Sequence, residues 1–158
     1  MNVHLLPYSN KQSQQNFLDT VTNHSINCKT KKIKKFHPNI IKNNYYDSYP
    51  IWGVTNGGND RNKKQWEKMK PNDIGVFYKD KKFDNYCLIL DKFNSKEFAM
   101  QLWGEKFNKA LDIYETWENL FLIKDLKEID IPIDTYNDCF GHSQNNKIQG
   151  YTRLDDDK

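Results

Sequence analysis

The residues able to do chemistry are four tryptophans, four histidines and three cysteines in a chain of 158 residues. Metal binding needs ligands clustered at short spacing, yet His4, His24, His37 and His142 are scattered. Cys139-x-x-His142 is the tightest Cys/His pair, and the further ligands of a tetrahedral zinc site are not apparent. Gly57-Gly58 runs into Asn59-Asp60, not into the Lys-Ser/Thr ending of a phosphate loop. No Gly-x-Ser-x-Gly nucleophile elbow occurs. Asp125-Leu126-Lys127, with Asp112 upstream, imitates the two carboxylates and lysine of a metal-dependent nuclease. So short a pattern arises readily by chance in a chain that is 28% charged, and surface residues at the end of a strand are the plainer reading. No metal and no cofactor are expected, nor catalysis by this chain itself.

The tryptophans carry more information. Trp66 sits in a Lys-rich helical pattern with Met69 and reads as core packing. Trp52 lies mid-strand before a Gly/Asn turn, Trp103 ends a helical pattern before Gly104, and Trp117 starts a strand. Element ends present side chains to pockets, and base–aromatic stacking is worth about 1–3 kcal/mol per base. By spacing alone, filling a core is the plainer reading of the same three rings.

These residues need elements to position them. Ser9 with Gln12 has capping-box spacing, and Phe17, Leu18 and Val21 form one stripe, which predicts a helix over about 10–23. The Lys-rich segment to about Ile41 reads as a loop. Residues 50–55 read as a strand broken by Asn56 to Asn59, and 60–70 as a short helix ended by Pro71. Residues 74–78 and 86–91 alternate as an antiparallel hairpin around the charged turn 79–84. A helix over 96–103, a strand over 116–123 and a helix over 134–140 capped by Gly141 complete the pattern. The class is α+β, with helices flanking a small, curved, mostly antiparallel sheet.

The length suits one domain. Three widely spaced cysteines make no disulfide framework, and a reduced, cytoplasmic protein is expected. The longest apolar runs, 86–90 and 120–123, fall far short of the roughly 20 residues of a membrane span, so no membrane partner is expected. The net charge of +3 hides an asymmetry: residues 1–48 hold seven lysines and two acids, a balance of +5, while 49–158 sum to −2. Lys29, Lys31, Lys32, Lys34 and Lys35 suit a polyanion partner and equally suit a solvated segment. Residues 1–48 accordingly read as a basic extension preceding a domain over 49–158.

The run Ile51-Trp52-Gly53-Val54-Thr55, then Gln65-Trp66-Glu67-Lys68-Met69-Lys70-Pro71-Asn72-Asp73 and Val76-Phe77-Tyr78, resembles the EVE and YTH branch of the PUA-like superfamily. That branch has a Trp-bearing first strand, a short helix ending in Met-Lys-x-Gly-Asp and a strand ending in Phe-Tyr; here Asn72 replaces the usual glycine. Leu102-Trp103-Gly104, Thr116-Trp117-Glu118-Asn119-Leu120-Phe121-Leu122, Ile129-Asp130-Ile131-Pro132 and Gln149-Gly150-Tyr151-Thr152-Arg153 resemble the subgroup in bacterial modification-dependent restriction enzymes of the McrB-like and EVE-HNH kinds. The similarity spans about residues 49–155.

The resemblance implies a small curved β-barrel flanked by helices that holds one modified base of DNA in an aromatic cage. A YTH-like reader of methylated adenine in RNA is the alternative. Trp52, Trp103 and Trp117 correspond to cage walls, and the main chain of Gly53, Val54, Thr55 and Asn56 to the contact with the base edge. The segment containing Gln149 and Tyr151 corresponds to a closing loop, with Arg153 a phosphate contact. Arg61, Lys63 and Lys64, with Lys31, Lys32, Lys34 and Lys35, are further phosphate candidates. The chain would then be the recognition part of a longer restriction protein or complex, the NTPase or nuclease lying on another domain or subunit. Leu154 to Lys158, directly after the last motif, suits such a fragment.

Overall fold

The computed structural model describes residues 1–39 and 46–155. Turn chemistry builds the sheet from its middle outward. Strands β3 (Ile74–Lys79) and β4 (Lys82–Asn94) are joined by Asp80 and Lys81, whose φ values of 52° and 66° are the paired positive angles of a two-residue hairpin loop. The long strand β7 (Asn119–Pro132) pairs with β4, and register shifts between Phe83/Asn85, Tyr86/Leu88 and Ile89/Asp91 bend the pair. Antiparallel β2 (Ile51–Val54) flanks β7 on its other side. Beyond β3 lie parallel β1 (Val3–Pro7) and antiparallel β8 (Thr152–Leu154). The order β2-β7-β4-β3-β1-β8 is a curled, mostly antiparallel half-barrel whose free edges are β2 and β8. The α+β class and the curved sheet are as expected. The sheet curls only half-way, and this leaves a seam.

Helices cover the sheet: α1 (Lys11–Phe17), which runs on into a π turn at Leu18–Thr22, then α2 (His24–Asn27), α3 (Thr30–Phe36), α4 (Arg61–Glu67), α5 (Lys96–Trp103) and α6 (Ile133–Phe140). The cap of α1 falls one residue later than expected: Asn10 Oδ1 accepts the Ser13 amide at 2.8 Å, while the Ser9 carbonyl accepts from the Gln14 side chain. The lysine segment is helical over α3, where a loop was expected. Its Thr30 and Ile33 are buried and the Phe36 ring stacks on Phe98 at 4.6 Å, so an apolar face packed on α5 overrides the local charge density. Ile40 and Ile41, at the end of the expected loop, and Asp156 to Lys158 lie outside the described residues.

The N-terminal segment contributes a strand to the sheet. β1 is paired on both sides, and Leu6, Tyr8 and Val21 share one core cluster with Trp52, Phe77 and Tyr151. Removing the N-terminal segment would therefore expose two strand edges and part of that core. A small hairpin, β5 (Lys106–Asn108) and β6 (Ile113–Glu115), stands apart from the main sheet, with Phe107, Ile113 and Tyr114 exposed. Among the described residues no helix is long and apolar enough to cross a membrane.

Candidate ligand pocket in the open seam

A cavity of about 350 Å³ lies across the seam, lined on one side by Trp52, Gly53, Val54 and Thr55 and on the other by Leu6 and Pro7 of β1 and residues 148–151 before β8. That volume is near the lower end of small-ligand sites, and the mouth of a β-barrel is a usual place for one. β2 supplies a free main-chain edge. The Pro50 carbonyl accepts the Ile123 amide toward β7, while the Ile51 carbonyl, pointing the opposite way, accepts the Thr20 hydroxyl at 2.6 Å. Backbone groups alternate along a strand, so the N–H and C=O of Gly53 share the side of Ile51 and face the seam.

Glycine is required at position 53. A Cβ there would lie 2.5 Å from the Trp117 carbonyl and 3.0 Å from the Trp103 ring. The three tryptophans do converge, edge to face. Trp103 lies 6.4 Å from Trp52 and 6.0 Å from Trp117, at interplanar angles of 68° and 79°. Trp52 and Trp117 line the cavity, whereas Trp103 is not among its lining residues and packs beneath Gly53 as a backing ring. Its Nε1–H is buried and has no partner among the described residues.

The aromatic side chain across the seam is Tyr151. Its position comes from an arrangement that sequence reading missed. Tyr151 Oη and His4 Nδ1 are 2.7 Å apart, and His4 Nε2 is 2.9 Å from Asp73 Oδ2. His4 is fully buried, and burial lowers its pKa, so the neutral ring donates from Nε2 to Asp73 and accepts the Tyr151 hydroxyl proton at Nδ1. Burial by itself would raise the Asp73 carboxyl, but hydrogen bonds from His4 and from the Asn2 and Lys70 amides outweigh it and hold the group below its usual value. Burial also raises the Tyr151 hydroxyl, which stays protonated. Tyr151 thus spends its hydroxyl inward, on His4. The only sequence signal was a histidine interrupting the apolar run Val3 to Leu6.

The remaining expected residues divide by position. Gln149 lines the cavity beside Gly150, whose φ is 80°. Asn56 does not: its side chain donates to Glu118 and accepts from Asn119, and its carbonyl takes the Asn62 and Lys63 amides, so it braces the turn after β2. Lys106, not foreseen, stands in the cavity lining with its Nζ 5.4 Å from the Trp117 ring centre and 3.8 Å from Glu115. Lys63 and Lys64 lie on α4, half-buried and exposed, outside the cavity. Arg61 and Arg153 meet at a second, smaller hollow with Lys68. Lys31, Lys32 and Lys35 line a separate groove of about 450 Å³ with Phe36 and Gln101, and Lys34 is half-buried on the same helix. Trp66 is core as expected, donating its Nε1–H to the Leu120 carbonyl at 3.2 Å.

Asp112 sits in the turn of the β5–β6 hairpin. Asp125 lines a cleft of about 630 Å³ between β7 and the N-terminal helices. Among the described residues no three His, Cys, Asp or Glu side chains gather as a metal-binding group. The thiols of Cys28 and Cys87 are buried, and burial pushes each up to about 12, so neither is a ready nucleophile. No protein-family model and no curated protein matches this chain. The likeness to the EVE and YTH branch therefore stands on its residue motifs.

Proposed function

We propose that this chain is a recognition module for a modified nucleobase in DNA. One base, extruded or already single-stranded, enters the seam pocket and stacks on Trp52, Trp117 and Tyr151, while the free edge of Gly53 meets its hydrogen-bonding groups. What supports the reading is the meeting of aromatic surfaces and the outer main-chain edge of β2 at Gly53 in one cavity of about 350 Å³. The magnitudes suit it. Extrusion costs a few kcal/mol, and stacking at about 1–3 kcal/mol per base offsets that. A methyl group is worth only about 0.8 kcal/mol as buried area, so discrimination comes from a close fit of the rings around it. In this reading Trp103 supports the walls, and Tyr151 takes the third side. The resemblance further supports a place in a modification-dependent restriction system, with cleavage or NTP hydrolysis on another domain or subunit.

The test is a binding panel of short duplexes identical except for one modified cytosine or adenine, run beside the same oligonucleotides as RNA. One modified DNA should bind at least tenfold more tightly than its unmodified parent, and Trp52→Leu should erase that ratio. Equal binding across the panel sinks the proposal. Tighter binding to RNA would transfer the reading to a methyladenine reader of RNA.

A further inference from the structure

A second hollow, of about 300 Å³, shares Tyr151 as a lining residue with the seam pocket. Arg61, Gln65 and Lys68 occupy positions i, i+4 and i+7 along α4 and its C-cap, the spacing of one helix face. Opposite them is Arg153 of β8, its side chain only 10% exposed. Gln65 Oε1 accepts from Arg153 Nε at 2.9 Å, which fixes the plane of the guanidinium. Asp155 is the acid among the lining residues, and its Oδ1 accepts from Arg153 Nη1. Three cations thus line the hollow with one carboxylate, which contacts Arg153. An anion bound there would offset their mutual repulsion, and a guanidinium held in plane matches the fork of a carboxylate or phosphate.

We infer that this hollow is a phosphate site and that the Asp155 carboxylate sits where a phosphate oxygen binds. The position deepens the function proposed above, on which it rests for its ligand: a nucleotide with its base in the seam pocket places an adjoining phosphate on Arg61, Lys68 and Arg153, with Tyr151 common to the two. Asp155 then competes with the backbone of the nucleic acid and sets a threshold that a poorly seated strand fails to cross. Lys68 and Gln65, which carried no role in the sequence reading, become phosphate-site residues.

The test titrates the whole chain with inorganic phosphate, followed by NMR at the Arg153 and Gln65 side chains. It then compares the nucleoside of the modified base that binds best in the panel with the same nucleoside carrying a 5′ phosphate. Asp155→Asn should tighten phosphate at least fivefold. Arg153→Gln should weaken it at least tenfold, and Lys68→Gln, at an exposed position, severalfold, neither changing affinity for the unphosphorylated nucleoside. No saturable phosphate response in either the wild type or Asp155→Asn, or a response unchanged in both Arg153→Gln and Lys68→Gln, overturns the inference. The two readings fail separately. Phosphate binding without nucleoside binding keeps this site and removes the base reading. Nucleoside binding to which the 5′ phosphate adds nothing, even in Asp155→Asn, does the reverse.

Discussion

The seam pocket and the lysine groove on α3 are both candidates for touching nucleic acid, and they are built on opposite principles. In the seam, Trp52 and Trp117 are 5% and 8% exposed, Gly53 admits no side chain, and Tyr151 is held by a buried histidine. In the groove, Lys31 and Lys35 are exposed, the Lys32 Nζ lies 5.9 Å from the Phe98 ring centre, and four lysines on flexible stems share the lining with Ile26, Asn27, Phe36 and Gln101. Rings held by packing keep one shape and can select. Charges in solvent act at a distance, are screened by salt, and do not distinguish one base from another.

The contrast breaks most sharply at Gly53. Gly53→Ala forces a methyl carbon to 2.5 Å from the Trp117 carbonyl. Overpacking of this kind costs about 1–3 kcal/mol, so thermal unfolding should shift down by several degrees. An unshifted Gly53→Ala protein would mean the seam is not rigid. Trp52 itself is no innocent probe: it meets Tyr8, Phe17, Phe77 and Trp103, and truncation to Ala would cost about 3–5 kcal/mol, which is why Leu is the preferred replacement.

A middle-sized effect belongs to pH. His4 has a lowered pKa in the folded chain, so below about 6.5 the unfolded state takes up the proton more readily and stability falls as the solution is acidified. His24, also lowered by burial, adds to the same slope, and Asp73, lowered too, adds a further loss at acid values near and below its ordinary 3.8. Unfolding of the wild type between pH 7.5 and 5 should show the decline, and His4→Phe should flatten it while lowering stability at neutral pH. A slope unchanged in His4→Phe would discard the Asp73–His4–Tyr151 arrangement as the support of the pocket wall.

The smallest effect is at the groove. Replacing Lys31, Lys32, Lys34 and Lys35 by Gln should leave unfolding nearly unchanged and weaken binding to all sequences alike. The slope of log K against log salt should fall by about 0.9 for each phosphate that is no longer neutralised. If the substitutions altered the preference for a modified base, the division between selection in the seam and grip on the groove would collapse.

Local signals hold where the chemistry is local, although the α1 cap moves from Ser9 to Asn10 and the expected turn 79–84 narrows to Asp80 and Lys81. The β3–β4 hairpin needs only its charged turn, α5 begins where Ser95 accepts the Phe98 amide, and α6 ends at Gly141 with a φ of 68°. Trp52 and Trp117, singled out in the sequence at element ends, both line the seam cavity. What escaped depends on distant partners. Nothing in the run Val3 to Pro7 announces that it lies between β3 and β8, about 70 and 150 residues away. Nor does it show that His4 would meet Asp73 and Tyr151. Trp103 and Trp117 carry the same local signature at an element end, and only packing distinguishes the wall from its support.

The sequence by itself determined the α+β class, the hairpin, and the concentration of aromatic rings at element ends, because periodicity, caps and turn residues act within a few positions along the chain. Only the tertiary structure decided that the sheet stops half-way round, that Gly53 faces the gap, and that Arg61, Lys68 and Arg153 line one hollow with Asp155. Those arrangements follow from bulges in β4 and β7 and from strand pairings across the whole chain. Their energies come from interactions that do not exist until the fold has closed.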